Sequence, residues 1–371
     1  MDKRMIGKWY NSDAKFTLNV FDEYVNGEPR LLMSFGYSGY YNLTPNCSYE
    51  KDGALCFELN DESNRMVYRL RYEDHALCGC STQYGKTRDE VFERLSDVPE
   101  EGEFRCDPVV PGTGGMLTRR EALKQYAAYM PDESDPLHQK YRPTYALGGE
   151  IPDILQEYDY ARYTAGKSGD ALAFAMLAFV CDHFRHNGSA GCGSTRSVEG
   201  IIRFCESRNH AANCRGLAIL LANLLRLNGF RARHVTCCPY EEPFDECHVV
   251  VDCELQSGER IMFDPSNRLY YRDADGSYVS LRRLRELLIQ DAPLTPNPDA
   301  SHAGCGFDAD EHRVYMMKNT FRFTRGMRYA DGLDDRDGQL IGLLPKGYPP
   351  EHMTLPDDCV YLYDDDSFWA M

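Results

Sequence analysis

Apolar and polar side chains alternate with a period of two over residues 1–106. This alternation and the many aromatic residues are typical of strands with one buried face. The turn signals Asn26-Gly27 and Asp52-Gly53 separate the alternating segments. The pattern therefore predicts an antiparallel meander of short strands, or a small β-barrel. The alternating segments are KFTLNVFDEY, RLLMSFGYSGYY, ALCFELND and MVYRLRYED.

A second pattern begins after DPVVPGTGG (107–115), a proline- and glycine-rich segment that is predicted to be a linker. Thr118 and Glu121 have the spacing of a capping box that starts a helix. Helical periodicity then continues to Leu227, and Gly229 follows where a helix commonly ends. The predicted helices lie in DALAFAMLAFVCDHF, SVEGIIRFCESR and CRGLAILLANLLRL.

Strand-like segments follow these helices. Helices that precede an antiparallel sheet are typical of an α+β domain. The length of 371 residues favours two domains. We therefore predict an N-terminal antiparallel β domain at residues 1–108 and an α+β domain with C-terminal strands at 109–371. The predicted strands are FRARHVTCC, CHVVVDCEL, RIMFDP and RVYMMKNTFRF.

Charge and composition restrict the partners. The formal net charge of −17 argues against nucleic acid, because phosphate binding requires clustered Lys and Arg. The first residues contain no apolar signal segment, and the longest apolar run, 171–181, is too short to cross a bilayer. An odd number of cysteines, 15, favours reduced thiols. We therefore predict a cytoplasmic protein with no nucleic-acid and no membrane partner.

The sequence also predicts no metal and no cofactor. It contains no Cys-x-x-Cys pair, and none of its close cysteine spacings is typical of a structural zinc site. The acidic segment GLDDRDGQLIGLL fails the EF-hand pattern, because Leu333 and Leu344 occupy its first and last ligand positions.

Cys214 opens the apolar helix that ends near Leu227, where serine or aspartate is the usual cap. The positive end of the helix dipole and the free N–H groups there stabilise a thiolate. The same N–H groups can stabilise an oxyanion. Because most cysteines are simply small buried hydrophobic residues, a nucleophilic role requires an imidazole base and a group that orients it.

The segment CHVVVDCELQSGERIMFDP supplies both partners if it forms a hairpin with a three-residue loop at 256–258. This loop places Glu254 opposite Arg260 as an ion pair on one face and leaves the other face apolar. A two-residue loop would mix apolar and polar side chains on both faces. In the favoured register His248 and Asp264 lie on the same face, within side-chain reach.

Each of these residues also has a structural interpretation. His248 can be a hydrogen-bonded histidine within a strand, and Asp264 can form the turn in DPSN. Their placement after a helix-capping Cys214 favours a Cys–His–Asp triad that spans about fifty residues. In papain-type enzymes the histidine lies roughly 130 to 150 residues beyond the cysteine.

The segments NCRGLAILLANLLRLNGFRARHV, ECHVVVD and FDPSN resemble the core of the transglutaminase-like superfamily, with its papain-like Cys–His–Asp triad. The resemblance covers roughly residues 200–290. It includes YRDADGSYVSLRRLRELL, which is similar to the segment that follows the aspartate in bacterial members of the superfamily. It implies a papain-like cysteine protease fold and thiol acyl transfer. Cys214 would attack an amide or ester carbonyl, His248 would move the proton, and Asp264 would orient His248.

The sequence departs from that family at the oxyanion site. Transglutaminases proper place a tryptophan near the cysteine, whereas the tryptophans here are Trp9 and Trp369. Asn213 and Asn209 are the candidates for the second oxyanion donor, and capping of the helix is the alternative role. The departure favours hydrolysis over protein cross-linking.

The segment IGKWY at the N-terminus resembles the first strand of lipocalin-type barrels, which carries Gly-x-Trp. About ninety residues make a small barrel, and side chains usually fill such barrels. We therefore expect a docking or substrate-positioning module rather than a ligand-binding barrel.

Three functional hypotheses follow. The first is a cysteine hydrolase or acyltransferase acting on a peptide, a protein or a small amide through a thioester. The second is a transglutaminase-like scaffold that binds a peptide or protein without catalysis. The third is an amidase similar to peptide N-glycanase, which the lack of paired Cys-x-x-Cys motifs disfavours.

Overall fold

The computed structural model divides the chain into two units, Met1–Pro108 and Val109–Met371. The residues that the structure describes are 1–13, 16–35, 40–59, 65–83, 85–100, 109–112, 115–240, 247–302, 306–335, 337–348 and 359–371.

Nine strands of the N-terminal unit form one antiparallel sheet in the order β4-β3-β2-β1-β9-β8-β7-β6-β5. All neighbours except β1 and β9 are consecutive in the chain, so the sheet is the predicted meander. The Ser48 hydroxyl donates to the Pro29 carbonyl at 2.6 Å, which joins the two halves of the sheet into a near-barrel. The elements are a 3₁₀ helix at Lys3–Met5 and the strands β1 Gly7–Asn11, β2 Phe16–Val25, β3 Glu28–Phe35, β4 Tyr40–Leu43, β5 Cys47–Lys51, β6 Ala54–Leu59, β7 Met66–Glu73, β8 Ala76–Gln83 and β9 Lys86–Ser96.

Large aromatic side chains fill the interior of this sheet. Phe16 and Phe57 are fully buried, and Phe57 stacks on Tyr68 with ring centroids 4.7 Å apart. Trp9 is also fully buried, and its Nε1 donates to the Met5 carbonyl at 2.8 Å. The alternation in the sequence therefore corresponds to one apolar, inward-facing side of each strand.

The C-terminal unit combines helices with several small sheets and one large sheet. Its helices are α1 Arg119–Gln125, α2 Ile154–Glu157, α3 Tyr160–Thr164, α4 Asp170–His183, α5 Val198–Glu206, α6 Cys214–Leu227, α7 Leu281–Gln290, α8 Ala309–Lys318 and α9 Asp365–Trp369. Its strands are β10 Val109–Gly112, β11 Gly115–Thr118, β12 Thr144–Tyr145, β13 Arg185–His186, β14 Ala211–Ala212, β15 Arg231–Cys238, β16 His248–Glu254, β17 Arg260–Phe263, β18 Tyr271–Arg272, β19 Thr295–Pro296, β20 Arg322–Arg325, β21 Arg328–Tyr329, β22 Ile341–Leu343 and β23 Val360–Leu362.

The large sheet has the order β17-β16-β15-β20-β22-β23. Its neighbours are antiparallel except β22 and β23, which are parallel. Val249 and Val251 pack in one hydrophobic core with α4, α5 and α6, whereas Val250 packs in a second core with α1, α7 and α8. Helices therefore cover both faces of the sheet, which explains why HVVVDC shows no alternation.

One predicted strand is mainly a helix. The segment RVYMMKNTFRF was expected to be a strand, but Ala309–Lys318 forms α8 and only Arg322–Arg325 is a strand. The Asp308 side chain accepts hydrogen bonds from the N–H groups of Asp310 and Glu311. An N-cap with acidic residues in the first turn stabilises a helix, and this signal lies just upstream of the apolar run.

The helical pattern predicted from residue 117 to 227 is also interrupted. The capping box of Thr118 and Glu121 forms as predicted and starts α1. The structure then describes no helix between Gln125 and Ile154. Proline lacks the backbone donor that a helix interior requires, and this segment contains Pro131, Pro136, Pro143 and Pro152.

The hairpin of β16 and β17 has the predicted register, with Glu254 opposite Arg260 and the Leu255 N–H donating to the Glu259 carbonyl at 2.8 Å. The predicted ion pair between Glu254 and Arg260 is wrong. Glu254 instead pairs with Arg231 of β15 at 2.6 Å. The guanidinium of Arg260 contacts the fully buried carboxylate of Asp252. This contact stabilises the fold, because a buried carboxylate without a compensating positive charge would destabilise it.

Exchanging the charges of Arg231 and Glu254 tests this corrected pairing. The double variant Arg231→Glu/Glu254→Arg is expected to be more stable than the sum of the single reversals predicts, by a few tenths of a kcal/mol up to about 1 kcal/mol. The matched combination Glu254→Arg/Arg260→Glu is expected to be additive. Urea unfolding measures both, and coupling only in the second combination would contradict the structure.

Candidate active site

Cys214 is the first residue of α6 and is half-buried. Asn213 precedes it as the N-cap, and its Oδ1 accepts a hydrogen bond from the Gly216 N–H at 3.0 Å. The capping function therefore belongs to Asn213. This arrangement leaves the first helical position to a thiol at the positive end of the helix dipole.

Gly216 allows the first turn of α6 to pack closely against its neighbours. A Cβ at this position would lie 3.0 Å from the Cβ of Ala212 and 3.1 Å from the Cβ of Cys192. Ala212 pairs in parallel with His186 between β14 and β13. The strand pair therefore fixes His186 close to the helix turn that carries Cys214.

His248 begins β16 and Asp264 directly follows β17, and their side chains meet. His248 Nε2 lies 2.8 Å from Asp264 Oδ2, and the residues are 2% and 0% exposed. Burial on its own would lower the pKa of His248, but the charge of Asp264 and this hydrogen bond raise it to about 10. Burial would raise the pKa of Asp264, but the charge and hydrogen bond of His248 hold it well below its usual range. The two groups therefore form an ion pair at neutral pH.

Two imidazoles, those of His186 and His248, influence the Cys214 thiol. Burial on its own would raise the pKa of the thiol, but hydrogen bonds to His186 and His248 and the charge of His248 lower it to about 5. The arrangement favours a thiolate–imidazolium pair.

The carboxylate of Asp264 has three further hydrogen-bond partners. Oδ1 accepts from the Ser266 N–H at 2.9 Å, and Oδ2 accepts from Asn267 Nδ2 at 2.8 Å. Oδ2 also lies 3.2 Å from Nε2 of the buried His312. The turn in DPSN and the helix α8 thus hold this carboxylate in one orientation.

The two asparagines proposed as oxyanion donors differ in position. The backbone N–H of Asn213 donates to the Gly191 carbonyl at 2.8 Å, and its side-chain oxygen caps α6, so only its Nδ2 remains to donate. Asn209 is exposed in a left-handed turn with φ of 53°. The contacts of the described residues include none between Asn209 and Cys214. Both oxyanion roles remain predictions.

Two site histidines were not found from the sequence. His186 lies in a strand of only two residues, which is too short for any periodic signal. His312 lies on α8, directly before the segment RVYMMKNTFRF that the sequence pattern placed in a strand. The helix-start signal at Asp308 was the one feature that pointed to the correct element.

A cluster of His234, Asp334 and Asp335 offers ligand atoms within 4.8 Å of one another. Arg215 lies 2.8 Å from Asp334 and 3.1 Å from Asp335, and Arg196 lies 2.6 Å from Asp334. Two guanidinium groups therefore compensate the two carboxylates. The cluster anchors the first turn of α6 through Arg215 and does not favour a cation.

A second acidic cluster, residues 364–366, is also engaged. Asp365 and Asp366 each lie 2.7 Å from Arg282. The Asp364 side chain accepts from the Ser367 N–H at 3.2 Å and caps α9. These contacts account for the acidic cluster without a metal ion.

No protein-family model matches the chain, and no curated protein matches it. Among solved structures, the chain is similar to a "putative cysteine protease" from Cytophaga hutchinsonii, with 14% identity over 68% of this chain and 78% of that one, and a TM-score of 0.25. It is also similar to a "putative protease" from Parabacteroides distasonis, with 13% identity over 55% of this chain and 40% of that one, and a TM-score of 0.25. These TM-scores are too low to establish a common fold, so the transglutaminase-like interpretation remains a prediction.

Two further observations concern membrane-spanning helices and disulfide bonds. Within the part of the chain that the structure describes, the helices are too short or too polar to cross a membrane. The cysteines in that part are all free thiols.

Proposed function

We propose that the C-terminal unit is a cysteine-dependent hydrolase that cleaves a peptide or another amide through a thioester acyl-enzyme. The observation that carries this proposal is the Cys214 thiol at the start of α6, beside an imidazole that Asp264 holds at 2.8 Å. This observation supports the proposal because thiol catalysis uses a nucleophile, a base and a group that orients the base. Transfer of the acyl group to an amine instead of water is the acyltransferase form of the same chemistry.

In the first half-reaction the Cys214 thiolate attacks the carbonyl carbon, and a bond forms between Sγ and that carbon. The bond from carbon to nitrogen breaks as the His248 imidazolium gives its proton to the leaving amine. In the second half-reaction His248 takes a proton from water or an acceptor amine, which attacks the thioester. The acid or new amide leaves, and the Cys214 thiolate is restored.

The oxyanion requires two donors. The Cys214 N–H is at the first helical position, which has no partner within a helix. We propose the ring N–H of His186 as the second donor, because the pairing of β13 with β14 holds His186 near the first turn of α6 and His186 lowers the pKa of the Cys214 thiol. The backbone around it is fixed by the Asn187 N–H, which donates to the Ala212 carbonyl at 2.8 Å.

Substitution of His186 tests this assignment. His186→Ala is expected to lower kcat by about 10²–10³-fold with little change in KM, as loss of one oxyanion donor does elsewhere. His186→Gln retains an N–H donor and is expected to keep more of the activity. Steady-state kinetics of both variants measures the effect. If alanine and glutamine at this position behave alike, His186 does not donate to the oxyanion.

The proposed function itself is tested with the full chain and a library of quenched peptides and amides. Turnover is expected in the wild type and in the control Cys78→Ala, whose cysteine lies in the N-terminal unit, and is expected to vanish in Cys214→Ala. Retained turnover in Cys214→Ala would refute the proposal. Binding of peptides without any turnover would support the non-catalytic scaffold. Cleavage restricted to glycosylated asparagine amides would support the glycanase-like amidase.

A further inference from the structure

Two histidines share one buried carboxylate in this site. Asp264 Oδ2 lies 2.8 Å from His248 Nε2 and 3.2 Å from His312 Nε2. The other ring nitrogen of His312, Nδ1, lies 2.9 Å from the Tyr271 hydroxyl. Both His312 and Tyr271 are buried, and the reaction steps described above use neither of them. Groups that hydrogen-bond to a catalytic side chain in this way commonly fix its orientation.

The hydrogen-bond chemistry determines which atoms carry the protons. An ionised carboxylate only accepts hydrogen bonds, so His312 Nε2 must donate to Asp264. Nδ1 of a neutral imidazole then accepts, and the Tyr271 O–H donates to it. Burial lowers the pKa of His312 and the charge of Asp264 only partly opposes this effect, so the neutral ring is favoured at neutral pH.

Because His312 is neutral, His248 is the histidine whose positive charge pairs with the negative charge of Asp264. The titratable groups around His312 are Asp264 and His248 from the β16–β17 hairpin, Tyr271 from β18, Tyr315 from α8 and His302. Arg313, the next residue on α8, is turned away and contacts Asp291 at 2.9 Å. His312 thus fixes the orientation of Asp264 without adding a second positive charge.

We propose that His312, aligned by Tyr271, is a positioning residue that holds Asp264 in the orientation in which it supports the His248 imidazolium and the Cys214 thiolate. This inference rests on the proposed function. It extends the proposed catalytic triad to a series of five side chains. They are Cys214, His248, Asp264, His312 and Tyr271.

The inference is tested on the full chain with four variants, one of them Tyr271→Phe, and two readouts. His312→Ala removes the donor, His312→Gln keeps an N–H donor, and Phe307→Leu is a control that alters packing against the His312 ring, 5.5 Å away, without touching the hydrogen bonds. The first readout is the pH midpoint of Cys214 alkylation by iodoacetamide, which needs no substrate. The second is the division of any loss between kcat and KM.

In His312→Ala we expect the alkylation midpoint to rise and kcat to fall by up to about a hundredfold with KM nearly unchanged. His312→Gln is expected to recover most of both effects. Tyr271→Phe is expected to shift both readouts in the same direction by less, and it keeps the inference testable if His312→Ala fails to fold. Phe307→Leu is expected to change neither readout.

Three results would overturn the inference. They are an unchanged midpoint and kcat in His312→Ala, no recovery in His312→Gln, or an equal loss in Phe307→Leu at matched stability. Failure of the proposed function has a different signature, because turnover would then survive in Cys214→Ala or be absent from the wild type. If Cys214→Ala is inactive and His312→Ala is fully active, only the positioning role of His312 is wrong.

Discussion

Replacement of Asp264 by asparagine is expected to lower kcat by about 10⁴-fold, the size of the loss that follows removal of the orienting carboxylate in other triads. The neutral amide removes the charge that stabilises the His248 imidazolium. The NH2 group of the asparagine would also face a hydrogen-bond donor in either orientation of the amide. Ser266 donates to the position of Oδ1, and His248, Asn267 and His312 surround the position of Oδ2. We therefore also expect a loss of about 1–3 kcal/mol in the free energy of unfolding.

A matched control separates these two effects. Asp252 is also fully buried and lies at the other end of the same hairpin, where it pairs with Arg233 at 2.9 Å. Asp252→Asn is expected to destabilise the fold but to leave kcat of the folded protein nearly unchanged. Melting curves and turnover measured on both variants give the comparison. If Asp264→Asn retains turnover within about tenfold of wild type and melts like Asp252→Asn, Asp264 only shapes the turn.

Replacement of His248 by alanine is expected to move the pH midpoint of Cys214 alkylation upward from about 5. The variant loses the imidazolium that stabilises the thiolate, so the pKa of Cys214 should rise toward the value of about 8.5 for a free cysteine. Between these two pH values the wild-type sulfur is a thiolate and the variant sulfur is a protonated thiol. The rate measured over pH 4–9 therefore rises at a lower pH in the wild type.

The midpoint is a better readout than the rate at one pH. A thiolate of higher pKa is intrinsically more nucleophilic, which partly offsets its smaller population. His210→Ala, which removes an exposed histidine four residues before Cys214, is the control and is expected to leave the midpoint unchanged. Equal midpoints in the wild type and His248→Ala would show that His248 does not support the thiolate.

The sequence was most informative where a local pattern determines the structure. Only a three-residue loop at residues 256–258 keeps apolar and polar side chains on opposite faces of the hairpin. The register set by that loop placed His248 beside Asp264. The partner of Glu254 was not predictable in the same way. The third strand, β15, brings Arg231 to Glu254, and no pattern within the hairpin reveals that neighbour.

The parts of the site that were missed depend on long-range packing. His186 lies near Cys214 because β13 pairs with β14, a contact between chain segments 26 residues apart at Arg185 and Ala211. His312 reaches Asp264 from a helix 48 residues further along the chain. A lone histidine has no periodicity that identifies its partner, so only the fold shows that both belong to the site.

The central claim is that Cys214 is the reactive thiolate of this protein, and brief labelling of the native chain tests it most directly. The folded protein is treated with a small amount of iodoacetamide near neutral pH, and peptide mapping gives the order in which its cysteines react. Cys214 is expected to react well before the buried Cys205 and Cys237, because burial raises the pKa of Cys205 to about 12 and that of Cys237 well above its usual value. Labelling of Cys214 no faster than Cys205 or Cys237 would contradict the account and favour a binding scaffold over an enzyme.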